Sequence, residues 1–388
     1  MGKSLVLEIN TRCWLRELSE NANRTVTLAT VPDREFAAWK NCGFTHIWLM
    51  GIWTTGTKSC AASLGRQELR KLSVEAFGPG GEENLGSSPY AIADYTAADF
   101  TGGLQALAQF RAKLHQNGIG LILDFIPNHL GLDHRWIEER PELFVQSQGE
   151  RPETFPVLKA GGKLWIAHGK DPYFPAWDDT AQLDYRNPST RAAMVEVLQS
   201  VADQCDGVRC DMAMLLLSDV FDKTWQYFPV AGAKAFGGFW SDAIASLKRR
   251  HPDFLFIAEA YWNLEPRLAA LGFDYVYDKT FYDLLIRRDS AGLEAHVRAE
   301  GGFEPVRFLE NHDEARIASA LSPEEHKAAA IFLMRQPGMR LLHDGQLIGR
   351  KRRLPVQFTR YWPESPDPDI VEFYKGLLKS GTGHTQVS

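Results

Sequence analysis

The chain has 388 residues, 44% hydrophobic and 24% charged, with a formal net charge of −6. That length and apolar content support a large core, and the acidic balance argues against a nucleic-acid or anionic-membrane partner. No run of about 18 apolar residues occurs to cross a membrane as a helix, and the five cysteines, with no metal-ligand spacing, fit reduced thiols in a cytoplasmic protein.

The first strand-like run, LVLEIN (5–10), follows MGKS directly, without the apolar stretch or cleavage site of a secretion signal. Further strands are predicted near 46–53 (HIWLMGIW), 121–125 (LILDF), 207–213 (GVRCDMA), 254–260 (FLFIAEA), 273–277, 305–310 and 339–343. These runs are continuously apolar rather than alternating, as in parallel strands covered on both faces. Between them, Leu104, Leu107, Phe110 and Leu114 recur at helical spacing before Gly118. Ser189 is placed to cap a helix carrying Met194, Val197, Leu198 and Val201, and Ile370, Phe373, Tyr374 and Leu377 mark a final helix.

Eight strand–helix units predict an α/β fold, a closed (β/α)8 TIM barrel. A doubly wound open sheet is the alternative, but no glycine-rich phosphate loop follows the first strand. Two connections are long: 54–87, with its glycine-rich end, and 130–188 after the third strand, rich in aromatics and prolines. The predicted organisation is a catalytic barrel of residues 1–129 and 189–380, an inserted segment 130–188 and a tail 381–388. Arg350, Lys351, Arg352 and Arg353 read as a solvated loop.

In such a barrel the C-terminal strand ends converge on one mouth, and polar residues there are candidates for chemistry. Strand three ends in DFIPNH, giving Asp124, Asn128 and His129; strand four carries Arg209 and Asp211; strand five ends at Glu259; strand seven ends in ENHD, giving Glu310, Asn311, His312 and Asp313. Arg209 and Asp211, two apart, share one face of their strand. Burying either charge alone is costly, so they must be paired or reach a wet cavity. An ion pair that only stitches the barrel is the bland alternative. Three carboxylates at three strand ends, each near a His or Arg, suit glycosidic-bond cleavage better, which needs a nucleophile or base and an acid of raised pKa. Arg209 is expected to keep Asp211 ionised, and the apolar setting of Glu259 to raise its pKa. A metal-dependent barrel hydrolase would place histidines on strand one, where LVLEIN has none.

In this order, DFIPNH, GVRCDMA, the Glu of IAEA and FLENHD resemble the four signature segments of the α-amylase family of glycoside hydrolases, a retaining family built on a (β/α)8 barrel. SPYAIADY (88–95) is similar to the segment that supplies a sugar-stacking tyrosine, and AQLDYRNP (181–188) to a motif near the end of the family's inserted B domain. The resemblance implies Asp211 as nucleophile, Glu259 as general acid and base, and Asp313 as transition-state stabiliser. It implies Tyr90, Asp124, His129, Arg209 and His312 as the rest of the sugar subsite, on an α-glucan or α-glucoside substrate. A retaining mechanism sets the two catalytic carboxyls about 5–5.5 Å apart. Trp136, Trp165, Tyr173, Phe174 and Trp177 in the insertion are candidates for sugar stacking or for a small satellite core.

The sequence departs from the family pattern in three places. Met214 and Leu215 stand where many α-amylases carry a lysine and a histidine that contact sugar, so the substrate is expected to differ from starch cut internally. The same change removes a usual calcium contact; no cofactor is expected, with Asn128 and Asp184 as the oxygen donors left for a structural calcium. The C-terminal β-sandwich usual in the family is not expected within these 388 residues, whether the protein is a minimal form or a piece of a longer one. Hydrolysis is the leading expectation. Glucosyl transfer or phosphorolysis on sucrose, trehalose or maltooligosaccharides uses the same residues, and a catalytically silent carbohydrate-binding barrel is the alternative of another class.

Overall fold

The computed structural model describes residues 4–229, 238–299 and 301–381. Within them eight parallel strands close on themselves: β1 (Leu5–Asn10), β2 (His46–Met50), β3 (Gly120–Phe125), β4 (Gly207–Cys210), β5 (Leu255–Ala258), β6 (Tyr275–Tyr277), β7 (Pro305–Phe308) and β8 (Met339–His343). Each pairs with its neighbours in sequence, and β1 closes the ring by pairing with β8, Leu5 opposite Arg340 and Glu8 opposite His343. The predicted TIM barrel is present.

Alternation along each strand sorts the side chains into two cores. Leu5, Leu7 and Ile9 of β1 face the surrounding helices, whereas Val6 joins Trp48, Ile122, Ile257, Tyr277, Val306, Phe308, Met339 and Leu341 in a plug inside the barrel. The same parity carries Glu8, Asp124, Arg209 and His343 toward the interior, above that plug. The polar residues in apolar runs thus form one layer at the C-terminal end of the barrel.

The helices differ from the sequence reading in detail. Helix Gly103–Gln116 buries Ala106, Leu107, Phe110 and Leu114, but Leu104 is exposed. Helix Pro188–Ala202 is capped by Asn187, whose side chain accepts the Ser189 N–H; proline at the first helical position moves the cap back from Ser189. The final helix runs Pro368–Gly381, and the tail from 382 lies outside the described residues.

Both long connections are structured. The 54–87 segment is not a plain loop: it holds helices Thr57–Gly65 and Gln67–Phe77. The 130–188 segment holds a three-stranded antiparallel sheet, and its strand Thr180–Gln182 returns to pair with His129–Gly131. The two segments are fastened together. Asp133 accepts the N–H groups of Lys58 (2.9 Å) and Ser59 (3.4 Å) at the start of helix Thr57–Gly65, and Ser59 Oγ donates to the Asp179 carbonyl at 3.0 Å. Any side chain at Gly56 would collide with Asp133. On its other side, 54–87 is tied to the segment after β8 by Gly86 N–H to Gln357 and Thr359 N–H to Asn84, both 2.8 Å. In that segment Lys351, Arg352 and Arg353 are exposed, but Arg350 is not solvated: it is buried over the Tyr361 ring and pairs with Glu17 at 2.8 Å. Among the described residues no helix is long and apolar enough to cross a membrane.

Candidate active site

Arg209 is the centre of the polar layer. Its Nη1 donates to Asp211 at 2.6 Å, its Nη2 lies 2.8 Å from Glu259, and Asp124 stands 3.8 Å away. The guanidinium is 1% exposed and ringed by Trp48, Tyr90 and Tyr277, with 5.3–5.7 Å between it and each ring centroid. A second centre is His312. Its Nε2 meets the Tyr90 hydroxyl at 2.8 Å and Asp313 at 3.0 Å, and its Nδ1 is hydrogen-bonded to Glu8. Tyr90 also stacks on the His312 ring. The structure therefore brings Asp211, Glu259, Asp313, Tyr90, Asp124, Arg209 and His312 together. His129 joins them on the wall of the same cavity.

The carboxylates Glu8, Asp124, Asp211, Glu259 and Asp313 outnumber the cations Arg209 and His312, and their protonation reflects that excess. Burial pushes Glu259 above the usual carboxylate range; Arg209 opposes the rise, while Asp211 and Asp313 add to it. Asp211 is also raised, because its burial outweighs the bond from Arg209. Arg209 pulls in the expected direction, favouring the ionised form, but does not fully offset the burial. Burial likewise takes Asp124 up to about 7. Enclosure raises Asp313 too, but the adjacent His312 and then Arg209 override this and hold it well below the usual range. Burial opposes charge on His312, yet Asp313 and Glu8 raise its pKa well above that of free imidazole. His129, desolvated, falls to about 4 and is neutral at pH 7, able both to donate and to accept a hydroxyl hydrogen bond.

The cavity over these groups measures about 230 Å³, below the range of about 300–1,000 Å³ usual for ligand pockets. Asp211, Glu259 and Asp313 line it, and its walls come from both long connections, with Arg66 from the first and Trp177 and Asp179 from the second. Arg66 reaches across to pair with Asp178 and lies 3.5 Å from Asp179. Of the five candidate stacking aromatics in the insertion, only Trp177 lines this cavity, its ring 5.0 Å from His129. Trp136 is buried beside His134; Trp165 lies on the small sheet; Tyr173 and Phe174 are exposed. Met214 and Leu215 are buried in the hydrophobic core, and the wall on that side is Met212, held at a positive φ of 44°.

Sequence reasoning missed Glu8, Arg66, Asp179 and Tyr261, whose hydroxyl donates to Glu259 at 2.8 Å. Glu8 carried the same signal as Arg209, a charge within an apolar strand. Arg66 and Asp179 carried none, since only the folded insertions bring them to the site. Asn128 and Asp184 do not fit a calcium ion. The Asn128 amide exchanges hydrogen bonds with Gln182 at 3.0 and 3.1 Å, and both Asp184 oxygens accept from the Arg186 guanidinium at 2.8 Å, so the oxygens are already taken. Among the described residues no cluster of three His, Cys, Asp or Glu side chains is placed to hold a metal.

Residues 38–271 match the family model described as "Alpha amylase, catalytic domain". The chain is 28% identical to α-amylase MalA of Haloarcula japonica over 280 residues, 68% of this chain and 37% of that one. It is 31% identical to trehalose-6-phosphate hydrolase of Escherichia coli over 145 residues, 34% of this chain and 26% of that one. The chain thus spans well under two thirds of the length of these relatives. Among solved structures, the maltogenic α-amylase AmyB of Thermotoga neapolitana superposes with a TM-score of 0.68 at 21% identity, over 98% of this chain and 76% of that one. The α-amylase of Geobacillus thermoleovorans, solved with acarbose, gives 0.65 at 19% identity, over 98% and 78%. With the family model matched across more than half its length and a barrel of the same fold, the chain belongs to the α-amylase family.

Proposed function

We propose that this protein is a retaining glycosidase that removes a single terminal sugar from α-glucosides or short α-glucans. The observation that carries this is the small cavity, about 230 Å³, with Asp211, Glu259 and Asp313 on its lining. An open groove would suit internal cleavage of a long chain, whereas a pocket admits the end of one.

In this mechanism the Asp211 carboxylate attacks the anomeric carbon as the bond to the glycosidic oxygen breaks. Glu259 gives its proton to that oxygen, and the leaving group departs as an alcohol. Water then attacks the glycosyl ester on Asp211 and loses a proton to Glu259, restoring both groups. The raised pKa of Glu259 suits the acid role. Asp313, ionised against His312, offsets the positive charge that develops on the ring. A short carboxyl separation is supported by Arg209, which contacts both Asp211 and Glu259 through one guanidinium.

The five free cysteines support a reducing, cytoplasmic setting. The deciding experiment follows the products of maltose, maltotriose, trehalose and sucrose by proton NMR, with and without phosphate. The expected first product is α-glucose, and Asp211→Asn is expected to lose on the order of 10⁴-fold or more in kcat. Initial β-glucose, or full activity in Asp211→Asn, overturns the mechanism. Glucosyl phosphate or a new disaccharide as the main product would assign the chain to transfer instead.

A further inference from the structure

Glu259 is gripped mostly from the β4 side. Arg209 Nη2 lies 2.8 Å from its Oε1, and the Met212 N–H donates to its Oε2 at 2.6 Å. Its backbone donates to Cys210 and accepts from Ala213, both at 3.1 Å. All four residues lie on β4 or just after it. One contact comes from elsewhere: the half-buried Tyr261, two places after Glu259, returns its hydroxyl to Oε1 at 2.8 Å. The turn that follows Tyr261 is costly. The Leu264 N–H closes it onto the Tyr261 carbonyl at 3.3 Å, and its central residues Trp262 and Asn263 have φ of 65° and 60°. Two left-handed residues in a row suit glycine or asparagine, and a tryptophan there persists only where its surroundings hold it. The Tyr173 ring packs on Trp262 with 4.8 Å between centroids. Met212, the donor to Oε2, is left-handed as well, at 44°. Backbone strain is thus kept beside both of these donors to Glu259.

A carboxylate oxygen accepts in two directions. At Oε1 Arg209 and Tyr261 take both, whereas Oε2 meets Met212. Met212 lines the cavity beside Glu259; among the described residues on that lining, Arg209 and Tyr261 do not figure. From this asymmetry we infer that Tyr261 is a positioning residue that keeps the acidic proton off Oε1 and on Oε2, the atom that hands it to the leaving group. The inference rests on the acid–base role of Glu259 proposed above. As the proton passes from Oε2 to the glycosidic oxygen, negative charge appears on the carboxylate, and the Tyr261 O–H stabilises it at Oε1. In the second step water returns a proton to Oε2, because Oε1 is still occupied. Burial, and then the neighbouring Glu259, hold the Tyr261 pKa well above that of a free tyrosine, so its hydroxyl remains a donor throughout.

Tyr261→Phe, in the full chain, removes the donor and keeps the ring. Arg209 and Asp211 from the β4 end, Tyr277 from β6 and Asp313 after β7 also face Glu259 and stay in place. With its ionised form less favoured, the already raised pKa of Glu259 should rise by about one unit more. Carbon-13 NMR of glutamate-labelled protein reads this without turnover, the resonance being assigned by its loss in Glu259→Gln. The alkaline limb of kcat/KM on maltose should move to higher pH by a similar amount. On maltose, whose leaving oxygen needs a proton, kcat/KM should fall about 10-fold. On α-glucosyl fluoride, whose fluoride departs with little help, it should fall less than about 3-fold. A 3-fluorotyrosine at position 261, a stronger donor of nearly the same shape, should move the Glu259 titration the opposite way. An unmoved titration in Tyr261→Phe, or equal losses on the two substrates, would overturn the role of Tyr261 and leave a packing contact. Maltose cleavage by Glu259→Gln at the wild-type rate would overturn the acid assignment itself.

Discussion

His312 and Glu8 are 304 positions apart in the chain and joined by a buried hydrogen bond between the end of β7 and the middle of β1. The contact crosses the top of the barrel and gives the imidazole a second anion besides Asp313. Glu8→Gln keeps the shape and removes that charge. The raised pKa of His312 should fall toward that of free imidazole. His312 contributes its charge fully below the free-imidazole pKa and loses it as pH rises through the folded-state value, so lowering that value moves the loss to lower pH. The His312 titration, followed by NMR of its ring protons, should shift acidward by about one unit or more. An unmoved His312 titration would show that Glu8 does not govern it.

Arg209 is the counterion of two buried carboxylates, and its removal leaves both uncompensated. Arg209→Met should lower unfolding free energy by about 3–5 kcal/mol, read by denaturant titration at pH 7. Arg209→Lys should rescue little, because an ammonium cannot reproduce two bonds in fixed directions. The loss should shrink at pH 4, where the raised carboxyls carry protons. A loss independent of pH would point to packing against Trp48, Tyr90 and Tyr277 instead.

Arg186 pairs with both oxygens of Asp184, and its Nη1 also donates to the carbonyls of Trp225 (3.3 Å) and Phe228 (3.2 Å), leaving Asp184 no free oxygen for a metal. Chelation with EDTA should therefore leave the melting temperature within about 1 °C. Arg186→Ala should lower it by a few degrees, because Asp184 is left buried without its partner, at about 3–5 kcal/mol for a broken buried pair. Added calcium should not restore it. A melting temperature that falls with EDTA would contradict this directly.

Asp124, with its pKa taken from 3.8 up to about 7, holds its proton more tightly in the folded state than in the unfolded chain. Its effect on stability is thus favourable below about pH 4 and lost as pH rises to about 7. Asp124→Asn retains an acceptor for the Gly51 N–H, which lies 3.2 Å from the carboxylate. The variant should show a flatter decline of stability between pH 4 and pH 7, measured by thermal melts in matched buffers. An unchanged slope would place the proton elsewhere in the cluster.

The barrel was legible because strand parity is written in the sequence. Arg209 and Asp211, or Glu259 after an apolar run, announce an interior polar layer wherever one face must otherwise be hydrophobic. Local devices were harder to place by one or two residues: Asn187 caps where Ser189 was expected, and Leu104 falls just outside its helix's buried stripe. Arg350 looked solvated because three basic neighbours follow it, but its burial depends on Glu17 and Tyr361, hundreds of residues away or on a returning loop. The pocket wall was invisible for the same reason. Arg66 and Asp178 sit 112 positions apart, and no periodicity connects them.

Gly56 and Asp133 lock the two insertions into a continuous rim, and Gln357 joins that rim to the end of the barrel. A substitution at Gly56 would therefore disturb both insertions at once, and with them the cavity wall that Arg66 and Asp179 supply from either side of the joint.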